Sequence, residues 1–202
     1  MRPSPNARPE YIAAFGEIAG RIACSLHSLP RRSLPISMYV AGGAALHFYT
    51  GERTSKDVDA TFSHRIVLPE DLEVTYRDAD GAARLLYFDR QYNDTFALMH
   101  EDARADSVPL PLKDLDARVL DVRLLSALDL AVSKVSRFSS QDREDISSLA
   151  RHGLIQSAPL RRRAVEAAEA FVGNLDRLRS SIDLACRIVE DKDNQAASLR
   201  SR

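Results

Sequence analysis

Tryptophan is missing from this 202-residue chain, cysteine occurs only twice, and aromatic residues make up 6% of it. Cys24 and Cys186 stand far apart with no metal-type spacing, so two reduced thiols in a cytoplasmic protein are expected. No run of about 18 uninterrupted apolar residues occurs, which excludes a spanning helix. Glu17 and Arg21 break the most apolar early stretch, Tyr11 to Leu29, so no secretory leader is expected. Also absent are a phosphate loop ending in Gly-Lys-Ser/Thr, a dinucleotide G-x-G-x-x-G, a G-x-S-x-G elbow and an H-E-x-x-H helix. The five histidines (His27, His47, His64, His100, His152) lack ligand spacing and read as surface or partly buried rings. No aromatic-rich platform for stacking single-stranded bases is visible.

What is present is an ordinary globular composition, 45% apolar and 28% charged, too apolar for a disordered chain. The net charge of −1 hides an uneven distribution: residues 41–120 carry 9 basic and 15 acidic side chains (−6), while 1–40 carry 5 and 2 (+3) and 158–202 carry 9 and 7 (+2). The acidic block reads either as a solvated face or as a site gathering divalent cations between basic flanks.

Hydrophobic spacing then orders the chain. Residues 1–9 read as a flexible tail. Ile12, Phe15, Ile18, Ala19 and Ile22 recur at helical spacing, Ile36 to Ala41 is a short strand, and Ala44 to Tyr49 is a helix stopped at Gly51. Asp57 to Phe62 alternates as one strand, and Leu72 to Arg77 and Ala83 to Arg90 form a hairpin around Gly81. Thr95 to His100 reads as strand or short helix. Helices are expected over Val122 to Phe138, Asp142 to Arg151, and from Pro159 to about Glu190 as a pair or one long helix, with 191–202 frayed. The expected fold is α+β: a core over 10–121 with a small mixed sheet flanked by helices, then a helical segment over 122–190 packed on it.

One constellation carries chemistry. A strand runs into Gly42-Gly43 and a helix, followed by Arg53-Thr54-Ser55-Lys56-Asp57-Val58-Asp59. Carboxylates at i and i+2 on a strand share a face. Two such charges repel unless a cation lies between them, and oxygen pairs suit Mg²⁺ completed by water and phosphates. A glycine turn opening a helix offers bare backbone N–H groups to an anion. Arg53 and Lys56 read equally as phosphate contacts and as charge balance. Asp142 and Asp145 share a helix face, which by itself means favourable N-terminal charge and a pair with Arg137 or Arg143.

The segment Val40-Ala41-Gly42-Gly43-Ala44-Ala45 with Arg53 to Asp59 resembles the DNA polymerase β-like nucleotidyltransferase superfamily. Within it the chain looks most like minimal bacterial enzymes related to AbiEii-type toxins of abortive-infection and type IV toxin–antitoxin systems. Leu128 to Arg137 followed by Asp142-Arg143-Glu144-Asp145-Ile146 is similar to their Ser-Lys, Arg and Asp-x-x-Asp helix pair, so the two motifs span about residues 36–150. The resemblance implies a nucleotidyltransferase-like core and Mg²⁺ or Mn²⁺ held by Asp57 and Asp59. It implies a nucleoside triphosphate lined by Gly42, Gly43, Arg53, Ser55 and Lys56 and reached by Lys134. Arg137, Asp142 and Asp145 would act in support, with Asp145 positioning Lys134 or the acceptor. A third carboxylate is expected at Asp89, with Asp94 and Asp106 competing; the spacing departs from the simplest family pattern and keeps a one-metal or degenerate site open. The implied acceptor is an RNA, such as a tRNA end, or a protein hydroxyl, with a cognate antitoxin as a further partner and no membrane. A catalytically silent nucleotide- or partner-binding module and a coincidence of fold are the alternatives.

Overall fold

In the computed structural model of the chain, residues 6–94 and 97–200 are described, the side chains of 193–200 excepted. Pro9 opens helix α1 (Pro9–Leu26), where its missing N–H costs nothing, and Tyr11, Phe15, Ile18, Ile22 and Leu26 form its buried stripe. Strand β1 (Ile36–Val40) leads directly into α2 (Gly42–Thr50). There follow β2 (Asp57–Val58), β3 (Ala60–Phe62), β4 (Glu73–Arg77), β5 (Ala83–Phe88), β6 (Val108–Pro109) and β7 (Leu120–Leu124). Four helices close the order: α3 (Ala127–Ser133), α4 (Ser140–Arg151), α5 (Ser157–Ala168) and α6 (Leu175–Arg200). The class is α+β, and no helix among the described residues is long and apolar enough to cross a membrane.

Two compact units result, one of residues 1–93 and 107–125 and one of 94–106 and 126–202. In the first, a four-stranded sheet has the order β3-β1-β7-β6 and a three-stranded sheet the order β2-β5-β4. β1 is central, parallel to β7 and antiparallel to β3. Its inward Ile36, Met38 and Val40 stand opposite Leu120, Val122 and Leu124, all buried. α1 packs on β4, β5 and β7, so one amphipathic helix covers strands of both sheets. The hairpin β4–β5 turns at Gly81 (φ +79°). In the second unit α6 packs on α4 and α5, and α3 on α4 and α5.

Several expectations need correction. The helix expected over Val122 to Phe138 is instead β7 followed by the short α3. Leu120, Val122 and Leu124 alternate with Asp121 and Arg123, a two-residue period, and Ser126 then caps α3 by accepting the Asp129 N–H at 3.0 Å. Accordingly the boundary expected at residue 121 falls inside β7, and residues 94–106 join the helices. The single strand expected over Asp57 to Phe62 divides at Asp59 between the two sheets. Residues 97–100 form neither strand nor helix, while 95 and 96 lie outside the described residues. The C-terminal helices are a pair, and the expected frayed end is helical to Arg200. Within the expected N-terminal tail, Ala7 is buried and the Arg8 N–H donates to His47 Nε2 at 3.1 Å; residues 1–5 lie outside the described residues.

His47 is fully buried on α2, its ring set edge-on to Tyr11 at 4.5 Å, and its Nδ1 has no partner among the described residues. Burial, reinforced by the Arg8 charge, lowers its pKa to about 4. The unfolded chain therefore binds more protons between about pH 6.5 and 4, and stability on the order of 3 kcal/mol is lost as pH falls through that window. Urea midpoints should drop between pH 7.5 and 5, and His47→Gln should flatten that drop. An unchanged pH slope in the variant would place the acid sensitivity elsewhere.

Candidate active site

β1 delivers the chain into α2 without a side-chain cap: the N-cap residue is Ala41, and Gly42 takes φ +58°. The N-cap residue therefore offers no hydroxyl or carboxylate of its own to the amides that open this helix. Facing them is the segment that crosses between the sheets. The Asp59 carbonyl accepts the Ala41 N–H at 2.8 Å, and the Val58 carbonyl accepts the Asp89 N–H at 3.1 Å. The Asp59 side chain lies on Gly42 so closely that a Cβ built there would overlap its Oδ2 and stand 2.8 Å from its Cγ. Glycine is therefore required twice at position 42, for its positive φ and for the carboxylate against it.

Gly43 meets the preceding stretch in the same way. A Cβ there would lie 2.6 Å from Ser55 Oγ and 3.2 Å from Arg53 Nη2. The Ser55 hydroxyl donates to Asp57 Oδ1 in a very short hydrogen bond. The two glycines thus back onto Asp59 and onto Ser55 with Arg53, respectively. Tyr11 adds a third element. Its buried hydroxyl has no partner among the described residues, and burial, the nearby Tyr76 and the charges of Asp57 and Asp59 push its pKa well above the usual phenol range. Lys56, between Ser55 and Asp57, is exposed.

Asp89 follows β5, which runs parallel to β2 with Phe88 opposite Val58. The pairing of the two strands is direct. The Asp89 carboxylate accepts the Gln91 N–H at 2.8 Å, fixing the turn that ends the strand. Among the described residues no group of three or more His, Cys, Asp or Glu side chains is arranged to hold a metal ion, so the expected three-acid cluster is not assembled. Two carboxylates remain, that of Asp59 pressed on Gly42 and that of Asp57 held by Ser55. Such a donor set fits a magnesium ion, which takes one or two carboxylates and fills its other positions with water and phosphate oxygens.

The remaining predicted residues form their own group in the helical unit. Lys134, the C-cap residue of α3, is 6% exposed, and its Nζ donates to Asp145 Oδ2 at 2.7 Å with Asp142 Oδ1 at 3.9 Å. Gln141 donates to the other Asp145 oxygen at 2.9 Å. Arg137 grips Asp142 through Nε and Nη2 at 2.8 and 2.7 Å, and Ser139 and Asp142 form a capping box on α4. Burial raises the Asp142 pKa, but the bonds from Arg137 and Ser139 outweigh it and hold the group near 2. Asp106 is paired with Arg163 at 2.6 Å and Asp94 with Arg104 at 3.2 Å, so both competitors for the third acid are already engaged.

An α+β core in which a glycine turn backs an Asp-x-Asp segment has the organisation of a nucleotidyltransferase-like fold. The chain matches, over residues 21–195, the family described as nucleotidyltransferase of unknown function (DUF6036), and it belongs to that family. No curated protein and no solved structure matches it.

Sequence reasoning missed Tyr11. Tyr11 falls on the apolar stripe of α1 and reads as core, and nothing in its spacing marks a hydroxyl near two carboxylates. Gly42→Ala should cost about 2–4 kcal/mol in denaturant unfolding through overlap with Asp59. Adding Asp59→Ala should recover all but the roughly 1 kcal/mol backbone penalty of positive φ. Strictly additive losses would mean that the two residues do not touch. Lys134→Ala should cost about 3–5 kcal/mol by stranding buried Asp145. Lys134→Met with Asp145→Leu should be milder than the single change, and an equal loss would refute the pairing.

Proposed function

We propose that the chain transfers a nucleoside monophosphate from a nucleoside triphosphate to an acceptor hydroxyl, with Asp57 and Asp59 holding Mg²⁺ or Mn²⁺. The observation that supports this best is the Asp59 carboxylate seated on Gly42 beside an uncapped helix start. When bound there, the ion would offset the charge that develops on the transferring phosphoryl group. The Gly42 and Gly43 amides receive phosphate oxygens, where the helix dipole favours negative charge. Ser55 fixes one Asp57 oxygen and so limits the rotation of that carboxylate. The acceptor oxygen forms a bond to the α-phosphorus as the bond to the β-phosphate breaks, pyrophosphate leaves, and the hydroxyl proton passes to water or a carboxylate oxygen.

The resemblance of the second motif assigns Lys134 to a phosphate contact, with Asp145 orienting its ammonium and Arg137 and Asp142 in support. It likewise carries the finer reading: an RNA end or a protein hydroxyl as acceptor, and a toxin restrained by a cognate antitoxin. A silent nucleotide-binding module is the second reading, favoured by the engagement of the Asp89 carboxylate with the Gln91 amide.

Incubation with each α-labelled nucleoside triphosphate, Mg²⁺ and total RNA separates these readings. Label should appear in RNA or in protein, and Asp57→Asn or Asp59→Asn should reduce it at least about a thousandfold while the fold is retained. Triphosphate binding without transfer of label would establish the silent module.

A further inference from the structure

Four strands end the two sheets: β2, β3 and β6, of two, three and two residues, and β4, of five. Among the described residues, only β4 offers an edge long enough to take a further strand through several ladder bonds, and no strand lies against its outer side. The register shows which backbone groups point there. The Phe88 N–H donates to the Leu72 carbonyl at 2.9 Å and the Asp78 N–H to the Ala82 carbonyl at 3.0 Å. Even-numbered residues of β4 therefore bond to β5, and Glu73, Thr75 and Arg77 direct their N–H and C=O groups outward. Arg21 agrees with this by donating to the Asp71 and Glu73 carbonyls at 3.3 and 3.0 Å, closing the start of the edge. The side chains of Glu73, Thr75 and Arg77 are exposed on one face of the strand. Arg77 is held over the hairpin by the Gly81 carbonyl at 2.8 Å, with further N–H groups left for a carboxylate.

Charged side chains protect an edge when a second copy would bring like charges together. On β4 they do the reverse. In an antiparallel pair centred on Thr75, each Glu73 faces the partner's Arg77, and the two-fold axis supplies that contact twice. Centring the pair on Glu73 or on Arg77 would instead oppose like charges, so the pattern selects one register. We propose that a second copy of this chain docks antiparallel on β4 with Thr75 at the two-fold axis, joining two three-stranded sheets into one of six strands. The two Thr75 residues exchange main-chain hydrogen bonds, and each Glu73 N–H donates to the carbonyl of the partner's Arg77, so Arg21 keeps the Glu73 carbonyl. Thr75 then meets Thr75 on the exposed face, with Leu85 beside each of them, since Leu85 is the β5 partner of Thr75. β2 stands at the opposite edge of the sheet from β4, so Asp57 stays outside the interface.

Sedimentation equilibrium of the full chain over about a hundredfold range of concentration reads the mass, and amide hydrogen exchange reads the place of contact. The mass should rise from one chain toward two, and the Thr75 amide should exchange more slowly as it does. Arg77→Glu and Glu73→Arg, each opposing like charges twice, should weaken the dimer about tenfold. Combining the two substitutions restores opposite charges and should return the association of the parent. Only pairing between chains explains such a rescue, because residues four apart on a strand are separated by about 13 Å and do not meet within one chain. A single-chain mass at every concentration overturns the proposal. So does association that survives Arg77→Glu at full strength, or that leaves exchange at residues 73–77 unaltered. A folded double variant that remains a single chain overturns it as well.

Discussion

The peptide at Asp59 is the constraint around which the first unit is organised. Its carbonyl is tied to Ala41 at the mouth of α2, and the preceding carbonyl is tied to Asp89 at the end of β5. One residue thus joins the four-stranded sheet, the three-stranded sheet and a helix terminus. Two short strands, β2 and β3, with two and three residues, could not hold a position by their own ladders. They are held because β1 and β5 grip them from different sheets. The backbone at Asp57 and Asp59 is consequently fixed by hydrogen bonds to both sheets, while Ser55 and Gly42 meet the carboxylates themselves.

The helical unit uses the opposite device. There the carboxylates of Asp129, Asp142 and Asp145 are buried and paired: Asp145 with buried Lys134, Asp142 with exposed Arg137, and Asp129 with half-buried Arg163 at 2.8 Å. Such pairs give little net stability, since desolvation offsets most of their attraction, but they penalise any packing that separates them. Helices of only seven and twelve residues, α3 and α4, gain orientation from this that a uniformly apolar interface would not supply. Arg163 also reaches Asp106, and His100 lies 3.4 Å from Glu166, so the 94–106 segment is tied to α5 by the same means.

What the sequence disclosed follows from range. α1, β1, α2, the hairpin at Gly81 and α4 were legible because their signals are local: helical spacing and a glycine punctuation. The Gly42–Gly43 turn and the Asp57–Asp59 spacing were legible for the same reason, and the approach of one to the other followed from a short β-α-β connection. The division at Asp59 was not, because alternation continues unbroken from Asp57 to Phe62 while the partner strands change. Nor was β7, since Leu124, Leu125 and Leu128 extend its apolar pattern into a helical one. The Asp89 side chain escaped prediction because its alternative partner, the Gln91 amide, is generated by a turn and leaves no mark on composition. Partners of the buried ions, Lys134 above all, were ambiguous because charge tells that a mate is needed without telling which.

The glycine-backed pair also explains why unpaired polar atoms collect behind it. Tyr11 must be large and apolar enough to fill the space under α2, and Phe48, at 5.9 Å, and His47 close on its ring. Filling that space brings its hydroxyl toward Asp57 and Asp59, whose charge, together with burial, holds the phenol in its neutral form. An ionised neighbour at that place would add a third negative charge to the pair, and a cation would compete for the carboxylates from behind. A neutral ring does neither. The cost is a buried hydroxyl with no partner among the described residues, on the order of 1–3 kcal/mol. Local stability is thus given up on the inner side of Asp57 and Asp59.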